Sequence, residues 1–283
     1  MATQAGRYYL PEPSYWPIVG SVALLLMASG AVMWLNQVGA GPWFVLLGLA
    51  VLIVMLVGWF GTVIRESEAG KFNKQVDISF RWGMSWFIFS EVMFFAAFFG
   101  ALFYMRVLSV PWLASGETME LLWPGFKAAW PVAGPGLKEM FTPMHAMGIP
   151  AVNTLILLSS GATVTWAHWG LKKGNRGQLN LGLFLTIALG ITFLCLQAYE
   201  YHHAYTDFNL NLTTGAYGAT FFMLTGFHGF HVTLGTIMLI VILVRCLLGH
   251  FKPDHHFGFE AVSWYWHFVD VVWLLLFVLV YWL

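Results

Sequence analysis

Ionisable side chains stand inside long apolar runs of the sequence, where they could do chemistry but are costly to bury. Glu91 is the one carboxylate in WFIFSEVMFF, and Asp270 lies in YWHFVDVVW with His267 three residues before it. His228 and His231 lie together in TGFHGFH. Moving a charged group into hydrocarbon costs several kcal/mol at least. Ionisable residues in such runs are therefore candidates for proton transfer or for buried hydrogen bonds.

The two carboxylates favour different interpretations. Glu91 lies about eleven residues into its apolar run, roughly 16 Å deep at 1.5 Å per residue. For Glu91, a proton-handling role and a structural hydrogen bond made in protonated form are both open. For Asp270, the neighbouring His267 favours a local structural pair. We expect Glu91 to be protonated and to bond to the fifth or sixth apolar segment, with His231 as its partner.

The other polar groups in these runs predict packing more than chemistry. Glu200 and Gln197 lie at the end of the fifth run, and Glu200 is expected to be solvated or paired. His228 and His231 are three residues apart and so share one helix face. A haem held by two histidines needs them on different helices, so this pair does not predict a haem. Three glycines beside the histidines indicate close helix packing instead: Gly226, Gly229 and Gly235.

Motifs for metals, haem attachment and nucleotides are absent from the sequence. There is no HExxH, CxxCH, Cys cluster, Walker loop or GxGxxG after a strand. Cys195 and Cys246 lie far apart in apolar runs and are expected to act as small apolar residues. His255 and His256, in KPDHHFGFE, are expected to be solvated. We therefore expect no metal, no cofactor and no catalytic residue in this chain.

Composition identifies the medium around these residues. Of 283 residues, 59% are hydrophobic, 18% are aromatic and 9% are charged, whereas soluble domains have roughly 25% charged residues. A chain of this composition cannot cover itself with polar surface, so we predict an integral membrane protein. Lys+Arg and Asp+Glu number 13 each. Net charge therefore indicates neither nucleic acid nor an anionic surface as a partner.

Seven apolar segments reach the length of about 20 residues that a membrane-spanning helix needs. The alternation of a β-barrel is absent, so we predict an all-α integral membrane protein with seven transmembrane helices. The segments are 16–37, 43–64, 80–105, 146–168, 180–201, 217–245 and 258–283.

The distribution of Lys and Arg between the segments predicts their orientation. Ten lie before the first segment or in the second, fourth and sixth connections, and three lie in the other connections. The N-terminus is therefore predicted inside and the C-terminus outside. The ten are Arg7, Arg65, Lys71, Lys74, Arg81, Lys172, Lys173, Arg176, Arg245 and Lys252, and the three are Arg106, Lys127 and Lys138.

The most polar stretch, RESEAGKFNKQVDIS at 65–79, separates two segments from the following five. We predict an N-terminal segment with a two-helix unit at 1–64, a polar inside loop at 65–79 and a five-helix bundle at 80–283. Residues 106–145 are rich in Pro and Gly and are predicted to form an irregular outside loop. No internal repeat is evident, which disfavours an inverted-repeat transporter.

Several segments resemble subunit III of the cytochrome c oxidases, in the haem–copper oxidase family, and the resemblance covers nearly the whole chain. Seven helices grouped as two plus five are also the architecture of that family. The segment HHFGFEAVSWYWHFVDVVWL carries Glu260, His267 and Asp270. The other similar segments are FIFSEVMFFAAFF, NTLILLSSGATVTWAH, LQAYEY and GATFFMLTGFHGFHVTLG.

The resemblance implies an accessory subunit of an aerobic respiratory complex that oxidises cytochrome c, reduces oxygen and pumps protons. Haem and copper would belong to partner subunits, and this chain would be non-catalytic. It would pack on subunit I, in a complex with subunit II and other oxidase subunits. A cleft between its two units would hold structural phospholipids. The subunit would support proton uptake and protect the oxygen-reducing centre against inactivation during turnover.

The resemblance also implies roles for individual residues. Glu91 matches a family glutamate that reacts with a hydrophobic carbodiimide, a reagent for protonated carboxyl groups in apolar surroundings. Cationic groups at the inner interface would suit phosphate headgroups, and a tryptophan would lie along an acyl chain. The implied lipid-binding residues are Trp59, Arg65, Glu66, Arg245 and His250. The chain departs from the family pattern at Phe60-Gly61-Thr62 and at Leu248, where a Lys can stand beside the lipid phosphate.

Two other functions are consistent with the sequence. A quinol-oxidising relative would share this fold and much of the motif set, because the electron donor binds elsewhere in the complex. A free-standing proton-coupled transporter could use Glu91 and Asp270. Broken helices or paired acids around a midplane cavity would then be expected, and none is evident in the sequence.

The bacterial cytoplasmic membrane is the expected location of the protein, with the mitochondrial inner membrane as the alternative.

Overall fold

The computed structural model describes residues 8–136 and 140–282, apart from the side chain of Thr118. Within these ranges the regular structure is helical, and the single isolated β-bridge joins Lys252 to His255. Seven helices are long and apolar enough to cross a membrane, by length and composition. The predicted all-α fold with seven candidate transmembrane helices is therefore confirmed. They are α1 (Trp16–Leu35), α2 (Gly41–Glu68), α3 (Lys74–Phe103), α4 (Ile149–Lys172), α5 (Arg176–Thr206), α6 (Gly215–Leu247) and α7 (Phe257–Leu276).

Helix α3 extends further than the sequence predicted. It continues as a π-helical turn, Tyr104–Ser109, and then as α-helix over Val110–Leu113, and a short helix follows at Gly116–Leu121. The prediction that residues 106–145 are wholly irregular is therefore wrong for their first part. Pro111 does not end the helix, because it lies in the first turn of the segment after the π-helical turn, where a missing N–H is tolerated.

The polar stretch at 65–79 is also more helical than its composition suggests. Helix α2 runs to Glu68 and α3 begins at Lys74, which leaves residues 69–73 as the connection. Asn73 begins α3, since its side-chain oxygen accepts hydrogen bonds from the N–H groups of Gln75 and Val76 at 3.1 and 3.0 Å. Polar side chains can thus mark the edge of an apolar span without ending the helix, because the backbone hydrogen bonds continue.

The chain divides into two compact units, with the boundary between Phe80 and Arg81. The first unit is built on α1 and α2, which pack closely through glycines. A Cβ at Gly30 would lie 2.6 Å from the Val45 nitrogen, and one at Gly48 would lie 2.6 Å from Met27 Cγ. Arg7 and Lys138, which enter the orientation argument, lie outside the described residues, as do the chain ends at 1–7 and 283. The predicted orientation stays a prediction.

In the second unit, α7 is the most buried helix. In an apolar stretch of 18 residues of α7 and its continuation to Trp282, 56% of the residues are buried within the chain, against 39% in the corresponding stretches of α4, α5 and α6. Two fully buried tryptophans tie it to α4: Trp266 Nε1 donates to Ser160 Oγ and Trp273 Nε1 donates to Thr154 Oγ1, both at 2.9 Å. Close packing on α6 occurs at Gly235, where a Cβ would lie 2.9 Å from the Trp266 ring.

Candidate functional site

Glu91 and His231 form a pair that joins α3 to α6 in the second unit. Glu91 Oε2 lies 2.8 Å from His231 Nε2, and the two side chains are 20% and 8% exposed in this chain. Aromatic rings surround the imidazole, with Phe95 at 4.9 Å and Phe94 at 5.7 Å between ring centroids. The structure thus brings together the two residues that the sequence analysis paired.

The second nitrogen of His231 restricts where protons can lie in this pair. His231 Nδ1 is 2.6 Å from the Phe227 carbonyl oxygen, one helical turn earlier. A carbonyl only accepts, so Nδ1 must donate, and a neutral ring then presents the lone pair of Nε2 to Glu91. The shared contact therefore holds one proton, either on Glu91 as a neutral carboxyl group or on His231 in an ion pair.

Asp270 and His267 are neighbours on α7 but are not directly hydrogen-bonded. His267 Nδ1 is 3.8 Å from Asp270 Oδ2, beyond hydrogen-bond range, and the histidine side chain is 45% exposed. His267 Nε2 instead lies 3.3 Å from Thr165 Oγ1 on α4. Asp270 faces Gly161 of α4, where a Cβ would lie 2.5 Å from Oδ2. The local pair that the sequence favoured is therefore a loose contact beside a close α4–α7 approach.

A groove of about 620 Å³ opens between α4 and α7 next to these residues. Asp270, His267 and Thr165 supply its polar groups, while Trp166 and Trp169 are among its apolar lining. The carboxyl group of Asp270 is therefore at the wall of an open groove, although its side chain is only 8% exposed.

His228 lies inside the bundle, away from Glu91. Its side chain is fully buried, and Nε2 is 3.0 Å from the Val269 carbonyl oxygen on α7. Phe193 and Trp273 lie against the ring at 5.8 and 5.2 Å between centroids. With Nε2 donating to a carbonyl, His228 cross-links α6 and α7.

Glu200 departs in part from its sequence prediction. It was expected to be solvated or paired at a helix end, but α5 continues to Thr206 and Glu200 is fully buried, so it is not solvated; it does interact with Tyr281. Gln197 and Tyr281 interact in the same region. Among the described residues, none of these three side chains makes a well-aligned hydrogen bond.

The predicted lipid-binding residues of the first unit lie near the end of α2. Arg65 is exposed and bonds within its own helix, to the Gly61 carbonyl and Thr62 Oγ1, both at 3.2 Å. Trp59 is 44% exposed. Glu66 accepts a hydrogen bond of 2.9 Å from the Tyr9 phenol, and burial together with this bond raises the pKa of Tyr9.

In the second unit, Arg245 is held in place at the end of α6. Its Nε lies 3.5 Å from His250 Nδ1, and its guanidinium lies 4.3 Å from the centroid of the Phe251 ring. Both predicted residues, Arg245 and His250, are thus in one cluster. Guanidinium groups stack on aromatic rings and also bind phosphate, so this cluster has the chemistry of a headgroup contact.

One polar cluster was not found by sequence reasoning. Glu260 in the first turn of α7 pairs with Arg81 of α3 and approaches His168 of α4 and His256. The side chain of His256 is only 9% exposed, so the prediction that it is solvated is wrong, whereas His255 is exposed. The four-residue spacing of His256 and Glu260 was the one available signal. Only the fold shows that His168 lies beside them.

Seven long apolar helices, with polar groups paired inside the five-helix unit, define a polytopic helical membrane protein. A family model described as cytochrome c oxidase subunit III matches residues 6–283, and the chain belongs to that family. It is 44% identical to cytochrome c oxidase subunit 3 of Dugong dugon over 283 residues, which cover 100% of this chain and 99% of the relative. The relatives of the same name from Hippopotamus amphibius and Danio rerio are each 43% identical to this chain, and these matches also cover 100% of this chain and 99% of the relative.

Proposed function

We propose that the chain is a non-catalytic subunit that packs on subunit I of a proton-pumping oxidase and sustains its turnover. Membership in the family places the chain in an oxidoreductase complex with other oxidase subunits. The proposal assigns haem and copper to partner subunits, with cytochrome c as the electron donor. The complex would lie in a bacterial cytoplasmic membrane, and the mitochondrial inner membrane is the alternative.

The Glu91–His231 pair is the observation that supports a structural role for Glu91 within this proposal. A proton relay needs a polar partner on each side of the group that moves the proton. His231 is bonded on one side to Glu91 and on the other to a backbone carbonyl of its own helix. A carbonyl that already accepts in the α6 backbone cannot pass a proton on. The pair therefore suits a structural cross-link between α3 and α6 more than a step in proton transfer.

Replacing Glu91 with glutamine tests this assignment. The amide N–H of glutamine can donate to the lone pair on His231 Nε2, as a neutral carboxyl group would. We expect Glu91→Gln to leave subunit assembly, oxygen-reduction rate and protons pumped per electron near the wild-type values. A fall in turnover of about tenfold or more, ~1.4 kcal/mol in barrier, in a fully assembled complex would contradict the structural role.

We further propose that each unit binds a phospholipid headgroup through its arginine at a helix end. Support comes from the exposed Arg65 with Trp59 nearby in sequence in the first unit, and from Arg245 stacked on Phe251 in the second. A guanidinium at the membrane interface attracts phosphate electrostatically and can bind it bidentately. The bound lipids would support proton uptake by subunit I and protect it during turnover.

The double variant Arg65→Gln/Arg245→Gln should lose bound phospholipid and lose activity faster during turnover. Phospholipid per complex, counted by mass spectrometry of the purified oxidase, and the decay of oxygen consumption would be measured together. Lys127→Gln/Lys173→Gln is the matched control, because it removes the same charge from exposed positions outside these clusters. Unchanged lipid content and unchanged decay in the arginine variant would refute the lipid role.

A mild-detergent purification of the tagged chain tests its place in the complex. We expect haem absorption bands and a copper-bearing subunit to accompany it, and the haem type would help to identify the donor. A colourless protein that purifies alone after gentle extraction would contradict the proposal.

A further inference from the structure

Three potential metal ligands converge where α4, α7 and the segment before α7 meet. His168 Nε2 and His256 Nε2 are 3.3 Å apart. Glu260 Oε1 lies 3.2 Å from His256 Nε2 and 3.7 Å from His168 Nε2. The three side chains are 19%, 9% and 13% exposed, in the order His168, His256, Glu260. Each therefore offers one donor atom to the same small, largely enclosed space.

These separations, 3.2–3.7 Å, are close to the edges of a tetrahedral zinc site. Zinc binds imidazole nitrogen and carboxylate oxygen at about 2.0–2.2 Å, which puts the donors of a tetrahedron about 3.3–3.6 Å apart. Two imidazoles and one carboxylate also form a donor set that zinc accepts, with a water as the fourth ligand.

Hydrogen bonds outside the cluster orient the donors toward its centre. His256 Nδ1 lies 3.1 Å from the Lys252 carbonyl oxygen and must donate to it, so a neutral His256 directs the lone pair of Nε2 at Glu260. Arg81 binds Glu260 through Oε2 and leaves Oε1 for the cluster. Partners of this kind, which fix the tautomer of a histidine and the direction of a carboxylate, are typical of metal ligands.

The arrangement needs a hydrogen-bond donor or a cation at its centre. A neutral His256 and the Glu260 carboxylate bring two lone pairs to 3.2 Å, and His168 adds a third ring nitrogen at 3.3 Å from His256. Either a ring N–H, from a neutral His168 or from an imidazolium, points between these atoms, or a divalent cation binds all three. The spacing favours the cation, because it would bind all three atoms, whereas a His168 N–H at 3.3 Å from one acceptor and 3.7 Å from the other reaches only the nearer one.

We propose that His168, His256 and Glu260 form a binding site for a divalent cation of the zinc class. The ion would connect the last turns of α4, the first turn of α7 and the segment that precedes it. Through the Arg81–Glu260 pair it would also hold the N-terminal half of α3. Arg81 and Lys172 add positive charge nearby, so the affinity is that of an exchangeable regulatory or structural ion rather than a permanently bound one.

Zinc binding to the purified oxidase complex tests the site without relying on turnover. After chelator washing, the complex would be equilibrated with ⁶⁵Zn²⁺, and the zinc bound per complex would be counted over a titration. We expect one site in the wild type. Its affinity for zinc should fall in His168→Gln and in His256→Gln by at least roughly 10–100-fold, the loss that follows when a metal ligand loses an outer-shell hydrogen-bond partner. His255→Gln is the matched control, because this exposed neighbour points no atom into the cluster.

Equal zinc binding in the wild type and both ligand variants would overturn the proposal. If a ligand variant fails to assemble, the wild-type complex still decides the question. An anomalous difference map at the zinc absorption edge, from crystals equilibrated with zinc, should show a peak about 2.0–2.2 Å from the two Nε2 atoms and Glu260 Oε1. An empty map at this position would reject the site.

Discussion

Replacing His231 with leucine should destabilise the second unit by about 3 kcal/mol, the low end of the cost of breaking a largely buried pair. The replacement leaves Glu91 in apolar surroundings without the partner that now lies 2.8 Å away. It also frees the Phe227 carbonyl from its second hydrogen bond. Thermal unfolding of the purified oxidase, monitored through the release of this subunit, would measure the loss of stability.

A double-mutant cycle separates the pair from the packing around it. Glu91→Leu should cost nearly as much as His231→Leu, whereas Glu91→Leu/His231→Leu should cost clearly less than the sum, because no unpaired polar group remains. Ser90→Ala is the control, since the Ser90 hydroxyl donates to the Phe87 carbonyl of its own helix and, among the described residues, makes no hydrogen bond with the pair. Strictly additive effects of the two leucines would show that the contact contributes nothing to stability.

Replacing Gly235 with alanine should destabilise the second unit by about 1–3 kcal/mol, the usual cost of overpacking a core. A Cβ at this position would lie 2.9 Å from Trp266 Cε3 and 3.0 Å from Cζ3. The indole has little room to move away, because Gly190 lies against its other edge, so close that an added Cβ there would be 2.8 Å from Trp266 Cη2. Any shift would also strain the 2.9 Å bond from Trp266 Nε1 to Ser160.

Gly229 provides the matched comparison on the same helix. Among the described residues, nothing lies within 4 Å of a Cβ built there. Gly229→Ala should therefore be neutral or stabilise the helix by up to about 1 kcal/mol through propensity. The melting temperatures of the two variants should move apart, with Gly235→Ala the lower. Equal melting temperatures would show that the α6–α7 contact can relax without cost.

The helices themselves were predictable because each apolar run carries its own signal. A helix in lipid must satisfy its backbone internally, so about 20 apolar residues suffice to identify it. The ends of the helices were less predictable. α2 continues to Glu68 and α3 continues past Phe103 to Leu113, because backbone hydrogen bonding does not stop where side chains become polar or where Pro111 begins a new turn.

The sites show the same division. Glu91 and His231 could be paired from sequence because a costly carboxylate within a span needs a partner, and few polar residues lie at a comparable depth. Close packing predicted for Gly226, Gly229 and Gly235 is present only at Gly235, since the other two have no tight neighbour among the described residues. Glycine shows where helices can approach each other, but only the rotation of each helix decides whether they do.

The sequence by itself determined the medium, the seven spans and the family, because composition, the length of apolar runs and local motifs are properties of consecutive residues. Tertiary structure alone decided that Glu200 is fully buried, that Asp270 faces Gly161, and that His168 joins His256 and Glu260. Each of these depends on how one helix is rotated and shifted against another. Those two variables are set by the packing of large side chains such as Trp266 across the bundle, and no local pattern in the chain encodes them.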